Sequence, residues 1–450
     1  MSKTWYLSFF SNFVPRHRYN TIASPWNHCE DLEDSRSPMD RQGPLEELRP
    51  IFAVSRVMGL APFPFWSRRA LRGPLGTLAL VYSIAVVVVF AGPLVVGFPF
   101  FSVHRMSSAF SASERMNVLI SLLWTFVPCL FAAVVMVTYV SRRGRLRDAL
   151  VELDDIHAMP QPWKRDRVFK TPWYSFFLQV ILVFGVMIGA TYSHFEMYGY
   201  DFDRAVFDLS LPLYAFFVTI LLDVQFINLL LVLRRKLVMI NRSLALMMSQ
   251  SPSFEGVRSH WTCTVGYGVS PGSSHSLFDP RDVPTTERVR MMAEMHFRIH
   301  NVAVELSRIY GPSLVVHSAM TLVELAFQLF NFIVGIHRGA DLWLRAVTGV
   351  SWTLPYVAVF VAVLATCEAT SHEANLALSL VTEFYYLSEN NAVRKWLSTF
   401  SDQLRHMQLE FSASSFFSID FRLLLSIISA VMTNLVILVQ FHLSQNVEGE

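Results

Sequence analysis

A carboxylate, an amide and an aromatic ring share one predicted helix face within an otherwise apolar segment. Glu324, Phe327 and Gln328 occupy positions i, i+3 and i+4, which are neighbours on the surface of a helix. A carboxylate is costly in a hydrocarbon environment that does not hydrate it, so its presence there defaults to a functional hypothesis. We therefore expect this face to bind a polar ligand.

A second face of similar chemistry follows in the next apolar segment, where Thr348, Ser351 and Trp352 repeat the same spacing. A polyol needs hydrogen-bonding groups for its hydroxyls and an aromatic face for the C–H side of its ring. The two faces together predict a pocket for a sugar or polyol. Other candidate ligand-binding residues in the apolar segments are Trp124, Tyr192, His194 and Glu196. The alternative is that these polar groups only bond from helix to helix.

The last apolar segment ends with an amide beside a phenylalanine. Ile437, Gln440 and Phe441 fall on one helix face at positions i, i+3 and i+4. A hydrophobic ring beside a polar amide suits the constriction of an ion pore better than a lipid-facing surface. We predict that these three residues line or gate a pore. The alternative is that they pack between subunits or face lipid.

Signals for catalysis, metal binding and nucleic-acid binding are weak. His372 and Glu373 begin like a zinc-protease motif, but no second histidine follows at the required spacing. His296 and His300 lie four residues apart on a predicted helix with no third ligand nearby in sequence, so we expect surface or interface histidines. The sequence predicts no enzyme activity, no cofactor, no bound metal and no nucleic-acid partner.

Composition indicates a membrane protein, because 53% of the 450 residues are hydrophobic and only 16% are charged, against about 25% charged in soluble domains. A membrane-spanning helix needs about 20 apolar residues. Segments of this kind occupy 77–100, 117–140, 172–193, 209–233, 310–336, 343–367 and 422–443. The predicted fold class is therefore an all-α membrane protein with seven transmembrane helices. We expect Asp223, Gln225 and Asn228 in the fourth span to form structural hydrogen bonds or line an inner vestibule.

The distribution of basic residues predicts the orientation of the chain in the membrane. Of the 37 lysines and arginines, all but five fall before the first span or in alternate loops after it. The five exceptions are Arg105, Arg115, Arg204, Arg338 and Arg345. Because basic residues concentrate on the cytoplasmic side, the N-terminus is predicted inside and the C-terminus outside a plasma membrane that the chain crosses several times.

The predicted spans divide the chain into successive segments. These are a cytoplasmic segment 1–76, spans one to four at 77–233, cytoplasmic helical extensions at 234–309 around a disordered loop 250–288, spans five and six at 310–367, a cytoplasmic helical anchor 368–421, the seventh helix 422–443 and an extracellular tail 444–450. An apolar stripe in the anchor comprises Trp396, Phe400, Leu404, Met407 and Phe411. This stripe packs either in a stalk shared among subunits or within one subunit.

Two stretches of the chain resemble insect gustatory receptors. Thr433, a run of apolar residues and Gln440-Phe441 resemble the C-terminal signature of that family, with Asn434 where the family usually has tyrosine. Residues 411–413 and 51–62 look like the branch that senses fructose and inositols. The resemblance implies a ligand-gated, non-selective cation channel, assembled as a homotetramer or with other gustatory receptors. The last helices would surround the pore, and each subunit would hold a pocket open to the outside, in the bundle of spans one to four.

The resemblance also implies roles for single residues. Trp352 matches the pocket aromatic on span six, but Gly349 stands where fructose-sensing relatives carry glutamine. Leu325 and Phe327 likewise replace an expected threonine and tyrosine. We therefore expect a sugar or polyol ligand without assigning fructose. The alternatives are an odorant-receptor-like channel subunit for a hydrophobic ligand and a seven-span transporter.

Overall fold

The computed structural model of this chain describes residues 44–60, 78–90, 112–159, 185, 188–189, 202–249, 284–337 and 342–447. Helices dominate this described part. They are α1 (Pro44–Val57), α2 (Leu78–Phe90), α3 (Ala112–Ser141), α4 (Arg143–Ala158), α5 (Phe202–Ser249), α6 (Thr285–His337), α7 (Leu342–Leu387), α8 (Asn391–His406) and α9 (Phe421–Val447). Outside the described residues lie positions 1–43 of the predicted cytoplasmic segment 1–76, most of the third predicted span, and positions 250–283 of the predicted disordered loop 250–288. The prediction of a loop up to 288 is wrong, because α6 begins at Thr285.

Three helices are far longer than a membrane is thick. Helices α5, α6 and α7 contain 48, 53 and 46 residues, which at 1.5 Å per residue is about 70 to 80 Å. A bilayer's hydrocarbon core is about 30 Å thick. Each helix therefore continues well beyond any membrane that it crosses. The predicted cytoplasmic helical extensions on either side of the loop, at 234–249 and 289–309, are parts of α5 and α6, without a break from the apolar segments beside them.

Among the described residues, three helices are long and apolar enough to cross a membrane, over Pro212–Ser249, Thr285–Phe330 and Gly349–Leu387. A fourth is added if the bent pair Phe126–Ser141 and Arg143–Ala158 counts as one span. Two shorter apolar helices cover Leu78–Phe90 and Phe421–Ile437.

Helix α5 occupies the centre of the described bundle. It is apolar on nearly all sides, as expected for a helix surrounded by others. It packs most extensively against α7, and also against α3, α6 and α1. Leu222, Phe226, Leu229 and Leu233 are completely buried along its length. The other helices are therefore arranged around α5.

A sharp bend of 59° separates α3 from α4. The Arg142 guanidinium lies at this bend and donates hydrogen bonds to the backbone carbonyl oxygens of Arg308 and Ile309 on α6. Beyond the bend, α4 is rich in charged residues but buries Leu146, Leu150 and other apolar side chains. Helix α4 thus runs along α6 with one apolar face covered.

The segment predicted as a helical anchor is only partly helical. A break at 388–390 separates α7 from α8, and the Asn390 side chain accepts a 2.9 Å hydrogen bond from the backbone N–H of Ala392. This is a normal helix N-cap. The prediction of helix up to 421 is wrong, because α8 ends at His406 and is followed by a hairpin of two short strands, β1 (Ser412–Ala413) and β2 (Phe417–Ser418).

The apolar stripe of the anchor packs inside the subunit. Phe400, Leu404 and Phe411 are buried, while Trp396 and Met407 are half-buried. Helix α8 contacts α7 and α6 of the same chain. Of the two interpretations of this stripe, packing within one subunit accounts for its burial.

The hairpin is fixed on α6 by a close backbone contact. A Cβ atom placed on Gly311 would lie 2.7 Å from the backbone nitrogen of Ser414, so only glycine fits there. One turn earlier, the Ser307 hydroxyl donates a 3.0 Å hydrogen bond to the carbonyl oxygen of Ser412. The backbone N–H of Phe416 donates a 2.9 Å hydrogen bond to the carbonyl oxygen of Ala413, and the two central residues of this turn, Ser414 and Ser415, have positive φ angles of 50° and 65°, as in a type I′ turn.

Candidate functional site

The predicted polar face of α6 forms a hydrogen-bonded pair. The Gln328 amide nitrogen donates a 2.7 Å hydrogen bond to a carboxylate oxygen of Glu324, one turn earlier on the helix. Glu324 is only 3% exposed, whereas Gln328 and Phe327 are half-buried. The amide therefore provides one of the polar partners that a buried carboxylate needs.

The predicted faces of α6 and α7 adjoin at a glycine. A Cβ atom on Gly349 would lie 3.2 Å from the side-chain oxygen of Gln328, so a larger residue at 349 would compete with Gln328 for space. Ser351 is half-buried on α7, two residues further on. Thr348 belongs to α7, but its side chain lies outside the described part of the structure.

Trp352 is a core residue in this conformation. Its side chain is 1% exposed and its ring meets Phe216 of α5 at a centroid distance of 5.2 Å and an interplanar angle of 67°. Phe216 in turn contacts Tyr356 edge to face at 4.4 Å. The indole of Trp352 therefore packs where α7 contacts α5, and a ligand that stacked on this ring would displace part of that packing.

The other predicted pocket residues lie wholly or partly outside the described part of the structure. Trp124 belongs to α3, but its side chain lies outside the described part. Tyr192, His194 and Glu196 fall in a stretch that the structure does not describe. The described contacts join Glu324, Gln328 and Gly349, while Phe327, Ser351 and Trp352 belong to the same two helices.

The predicted pore face lies on α9. Ile437 is 44% exposed and Gln440 is also exposed. Phe441 continues the helix, with its side chain outside the described part. Apolar side chains exposed along the same helix include Leu425, Ile428, Met432 and Val436. Within the described chain α9 contacts mainly α6, so one subunit leaves much of this helix uncovered.

A buried ionisable pair joins α5 to α6 about two helical turns before Glu324 on α6. The Nδ1 atom of His317 contacts a carboxylate oxygen of Asp223, and its Nε2 atom lies 3.2 Å from the carbonyl oxygen of Tyr356 on α7. The exposed fractions of Asp223 and His317 are 0% and 1%. Asp223 was predicted to make structural hydrogen bonds, but its partner was missed. The sequence feature that could have indicated this partner is His317 itself, because a histidine inside a predicted span is as unusual as a carboxylate.

A second polar group surrounds Gln225. The hydroxyls of Tyr139 and Tyr310 donate to its side-chain oxygen at 2.8 and 3.0 Å, and its amide donates to the hydroxyl of Ser55. The Asn228 amide donates to the carbonyl oxygen of Val224, one turn earlier. Both amides make the structural hydrogen bonds that the sequence analysis expected of this segment.

His296 is buried at a contact between helices, which is the interface alternative of the prediction and not the surface one. It is 1% exposed, its Nε2 lies 3.2 Å from the carbonyl oxygen of Ala374 on α7, and its ring meets Phe400 of α8 at 5.9 Å. Burial lowers the pKa of His296 to about 4 and also lowers that of His300. The described residues contain no cluster of three or more potential metal ligands. His296 thus seals an interface between helices of one chain.

Three comparisons bear on what this chain is. The model of the family described as "7tm Chemosensory receptor" matches residues 48–445. A Drosophila melanogaster protein named "Putative gustatory receptor 2a" is 25% identical over 203 residues. That alignment covers 40% of this chain and 47% of the relative, so the chain spans about half the length of the curated relative that it matches.

Solved structures of the olfactory receptor OR5 from the insect Machilis hrabei have the same fold. The complex with eugenol aligns with a TM-score of 0.57 and 12% identity, covering 88% of this chain and 97% of the receptor. The structure of the same receptor that is named without a ligand aligns with a TM-score of 0.58 and 12% identity, covering 87% of this chain and 97% of the receptor. Because the family match covers most of the chain, the absence of enzyme activity predicted from sequence is confirmed by membership in a receptor family. This chain belongs to the 7tm chemosensory receptor family of multi-pass membrane proteins, the insect gustatory and olfactory receptors.

Proposed function

We propose that this chain is a gustatory receptor that acts as a ligand-gated, non-selective cation channel opened by a sugar or polyol. The observation that carries the proposal is the hydrogen bond between buried Glu324 and half-buried Gln328 at the junction with Gly349. A carboxylate offers about four acceptor positions and an amide oxygen two more. This arrangement suits a ligand with several hydroxyl donors.

Trp352 supplies the apolar side of the proposed pocket. Because its ring is buried against Phe216, a ligand gains access to it only when α5 and α7 shift relative to each other. The energy of ring stacking would then favour the shifted arrangement, which is how a ligand moves a conformational equilibrium. The proposed ligand-binding residues also include Thr348, Ser351, Phe327, Trp124, Tyr192, His194 and Glu196.

The proposed channel has seven spans, with the N-terminus inside and the C-terminus outside the plasma membrane, and assembles as a homotetramer or with other gustatory receptors. In a four-fold assembly the exposed face of α9 would surround the axis. Ile437 and Phe441 would close the pore by excluding water, and Gln440 would replace part of the hydration of a passing cation. Epitope tags at both ends test the orientation, since only the C-terminal tag should stain on intact cells.

The second candidate is an odorant-receptor-like channel with a hydrophobic ligand. The buried aromatic group of Phe216, Trp352 and Tyr356 favours it, because aromatic walls also suit small aromatic compounds such as the eugenol bound by the Machilis hrabei receptor. The two candidates differ in whether Glu324 and Gln328 contact the ligand.

Expression of the chain alone in cells without other chemoreceptors tests both candidates. Cation current is recorded against a panel of sugars, inositols and small aromatic compounds, with surface expression measured on the same cells. Current evoked by a sugar or inositol supports the proposal, and current evoked by aromatic compounds alone supports the alternative. A surface-expressed protein that no compound opens would contradict a channel made of this chain alone.

A further inference from the structure

Three arginine side chains converge on α6 at the bend between α3 and α4. Arg145 Nε lies 3.8 Å from one carboxylate oxygen of Glu305, and Arg308 Nη1 lies 3.3 Å from the other. The Arg142 guanidinium contacts the backbone carbonyl oxygens of Arg308 and Ile309. Three guanidinium groups are therefore gathered around a single carboxylate.

A proline in α6 explains the position of Arg142. Pro312 lies inside the helix and has no backbone N–H, so the carbonyl oxygen of Arg308, four residues earlier, lacks its usual helical donor. The Arg142 guanidinium supplies that donor from the bend between α3 and α4. This contact fixes the start of α4 against α6 and holds Arg145, about one helical turn further on, beside Glu305.

Arg145 and Arg308 remain accessible in spite of their shared partner. Their side chains are 61% and 67% exposed. A guanidinium has five N–H donors in a planar fork, and one contact with Glu305 uses only part of that capacity. Exposed ion pairs contribute little stability, so a stronger anion could replace Glu305 without disrupting the fold. Phosphate is such an anion, because a guanidinium binds it through two parallel hydrogen bonds.

The arginines lie where three apolar stretches end. Residues 116–141 on α3, 309–323 on α6 and 423–441 on α9 contain no lysine, arginine, aspartate or glutamate, and an arginine borders each stretch, at positions 142, 308 and 422. The contact of Arg142 with α6 brings the first two ends together, and the hairpin before α9 rests on Gly311. Because basic residues concentrate beside the ends of membrane spans, we infer that these ends mark one boundary of the membrane.

An exposed phenylalanine lies at the same level. Phe416 directly follows the turn of the hairpin and is 79% exposed. The hairpin is held on α6 through Ser307 and Gly311, which lie on either side of Arg308 in the sequence. A phenyl ring at a membrane boundary gains by entering the interfacial layer instead of water. The surface therefore offers cations for a headgroup and an apolar ring for the acyl chains beneath it.

We propose that Arg145 and Arg308 bind the phosphate of an anionic membrane lipid, with Arg142 positioning them and Phe416 inserted among the upper parts of the acyl chains. A lipid held in this way bridges α4 and α6. The predicted orientation of the chain places the site in the cytoplasmic leaflet, where anionic lipids are concentrated. Only this leaflet assignment rests on the proposed function. The site itself is separate from the proposed ligand pocket, because Arg308 lies about 24 Å from Glu324 along α6.

The test measures lipid binding to the full chain purified in detergent. Thermal unfolding is followed by tryptophan fluorescence while a dioctanoyl lipid is titrated in, and the half-saturating concentration is read from the rise in unfolding temperature. Dioctanoyl phosphatidylinositol bisphosphate should raise the unfolding temperature, and dioctanoyl phosphatidylcholine should not. Free inositol trisphosphate, which has no acyl chains, should bind more weakly than the lipid. Equal effects of the two lipids on the natural chain would overturn the proposal.

A double variant with a matched control identifies the residues. Arg145→Gln with Arg308→Gln should raise the half-saturating concentration of the anionic lipid at least tenfold. Arg147→Gln with Arg290→Gln removes the same charge from the same two helices and should leave lipid binding unchanged. Both control arginines are exposed and pair with a carboxylate on their own helix. Equal lipid binding by the two double variants would overturn the proposal.

Two further variants keep the test informative if the first double variant misfolds. Glu305→Gln removes the carboxylate that competes for Arg145 and Arg308, so it should bind the anionic lipid severalfold more tightly. Phe416→Ser should weaken binding of the lipid severalfold and leave binding of inositol trisphosphate unchanged. Unchanged lipid binding in Glu305→Gln contradicts a phosphate site at these arginines. Free inositol trisphosphate that binds as tightly as the lipid contradicts a membrane ligand. The measurement needs no agonist, so its failure is distinct from failure of the proposed sugar-gated function.

Discussion

Gln328 donates a 2.7 Å hydrogen bond to Glu324, and its side-chain oxygen faces Gly349 on the neighbouring helix. The same amide thus partners a carboxylate on its own helix and lies against the backbone of the next. Any group that competes for this amide changes the environment of a carboxylate that is 3% exposed. The proposed pocket can therefore be tested with substitutions at its edge that leave the core intact.

Gly349→Ala should alter agonist potency without reducing surface expression. The added methyl would lie 3.2 Å from the Gln328 side-chain oxygen, which is the flexible end of a side chain and can move aside. We expect the agonist concentration for half-maximal current to change by severalfold. Gly144→Ala is the control, because a Cβ there meets nothing within 4 Å. Equal dose-response curves for both variants would separate Gly349 from ligand binding.

Gln328→Ala should weaken the response to a polyol. The substitution removes the amide donor from a buried carboxylate, at a cost of about 1 to 3 kcal/mol, and removes a proposed ligand contact. An increase of about tenfold in the half-maximal agonist concentration corresponds to about 1.4 kcal/mol. Gln403→Ala on α8 serves as the control for glutamine removal. Current recordings at matched surface expression measure both.

Trp352→Ala should remove the protein from the cell surface before it reports on ligand binding. The ring is 1% exposed, and truncating a buried aromatic residue costs about 3 to 5 kcal/mol. Trp352→Phe keeps an aromatic ring and should retain surface expression with reduced agonist potency. Trp343→Ala, at a position 78% exposed, should change neither. If Trp352→Phe and Gln328→Ala both respond normally, the pocket lies elsewhere.

Acidification should destabilise the contact made by His296. Its pKa is lowered to about 4 from the ordinary 6.5. Its stabilising effect is therefore complete above about pH 6.5 and is lost as pH falls towards 4, by about 3 kcal/mol in all. His296→Gln should flatten this acid limb of the thermal-unfolding profile. His372→Gln, at an exposed position, should leave it unchanged.

Phe441→Ala should produce current without ligand. In the proposed closed pore a narrow apolar constriction excludes hydrated ions, and removing the phenyl rings would widen it. Gln440→Glu should increase the relative permeability to divalent cations by adding a carboxylate to the same face. Leak current and reversal potentials measure these effects. Substitution of exposed Leu425 by alanine controls for changes on α9 away from this face. Closed and normally selective channels in both variants would place the pore elsewhere.

The sequence predicted those features that depend on neighbours along the chain. The shared face of Glu324 and Gln328 follows from helical spacing alone, and the structure joins these side chains by a hydrogen bond. His317 meets Asp223 across 94 residues of sequence, and periodicity contains no information about that meeting. The burial of Trp352 likewise depends on Phe216, contributed by another helix. Contacts between helices therefore account for most of what the sequence analysis missed.

The hairpin between α8 and α9 links two helices that have different proposed roles. Asp420 accepts hydrogen bonds from the backbone N–H groups of Arg422 and Leu423, so the first turn of α9 is capped within two residues of the end of β2. The tip of the hairpin rests on Gly311 of α6 without space for a single methyl group. If α6 moved sideways near Gly311, only residues 414–420 could change conformation to accommodate the displacement before α9 begins. The start of α9 should therefore move together with α6, except for the displacement that a conformational change in those few residues can accommodate.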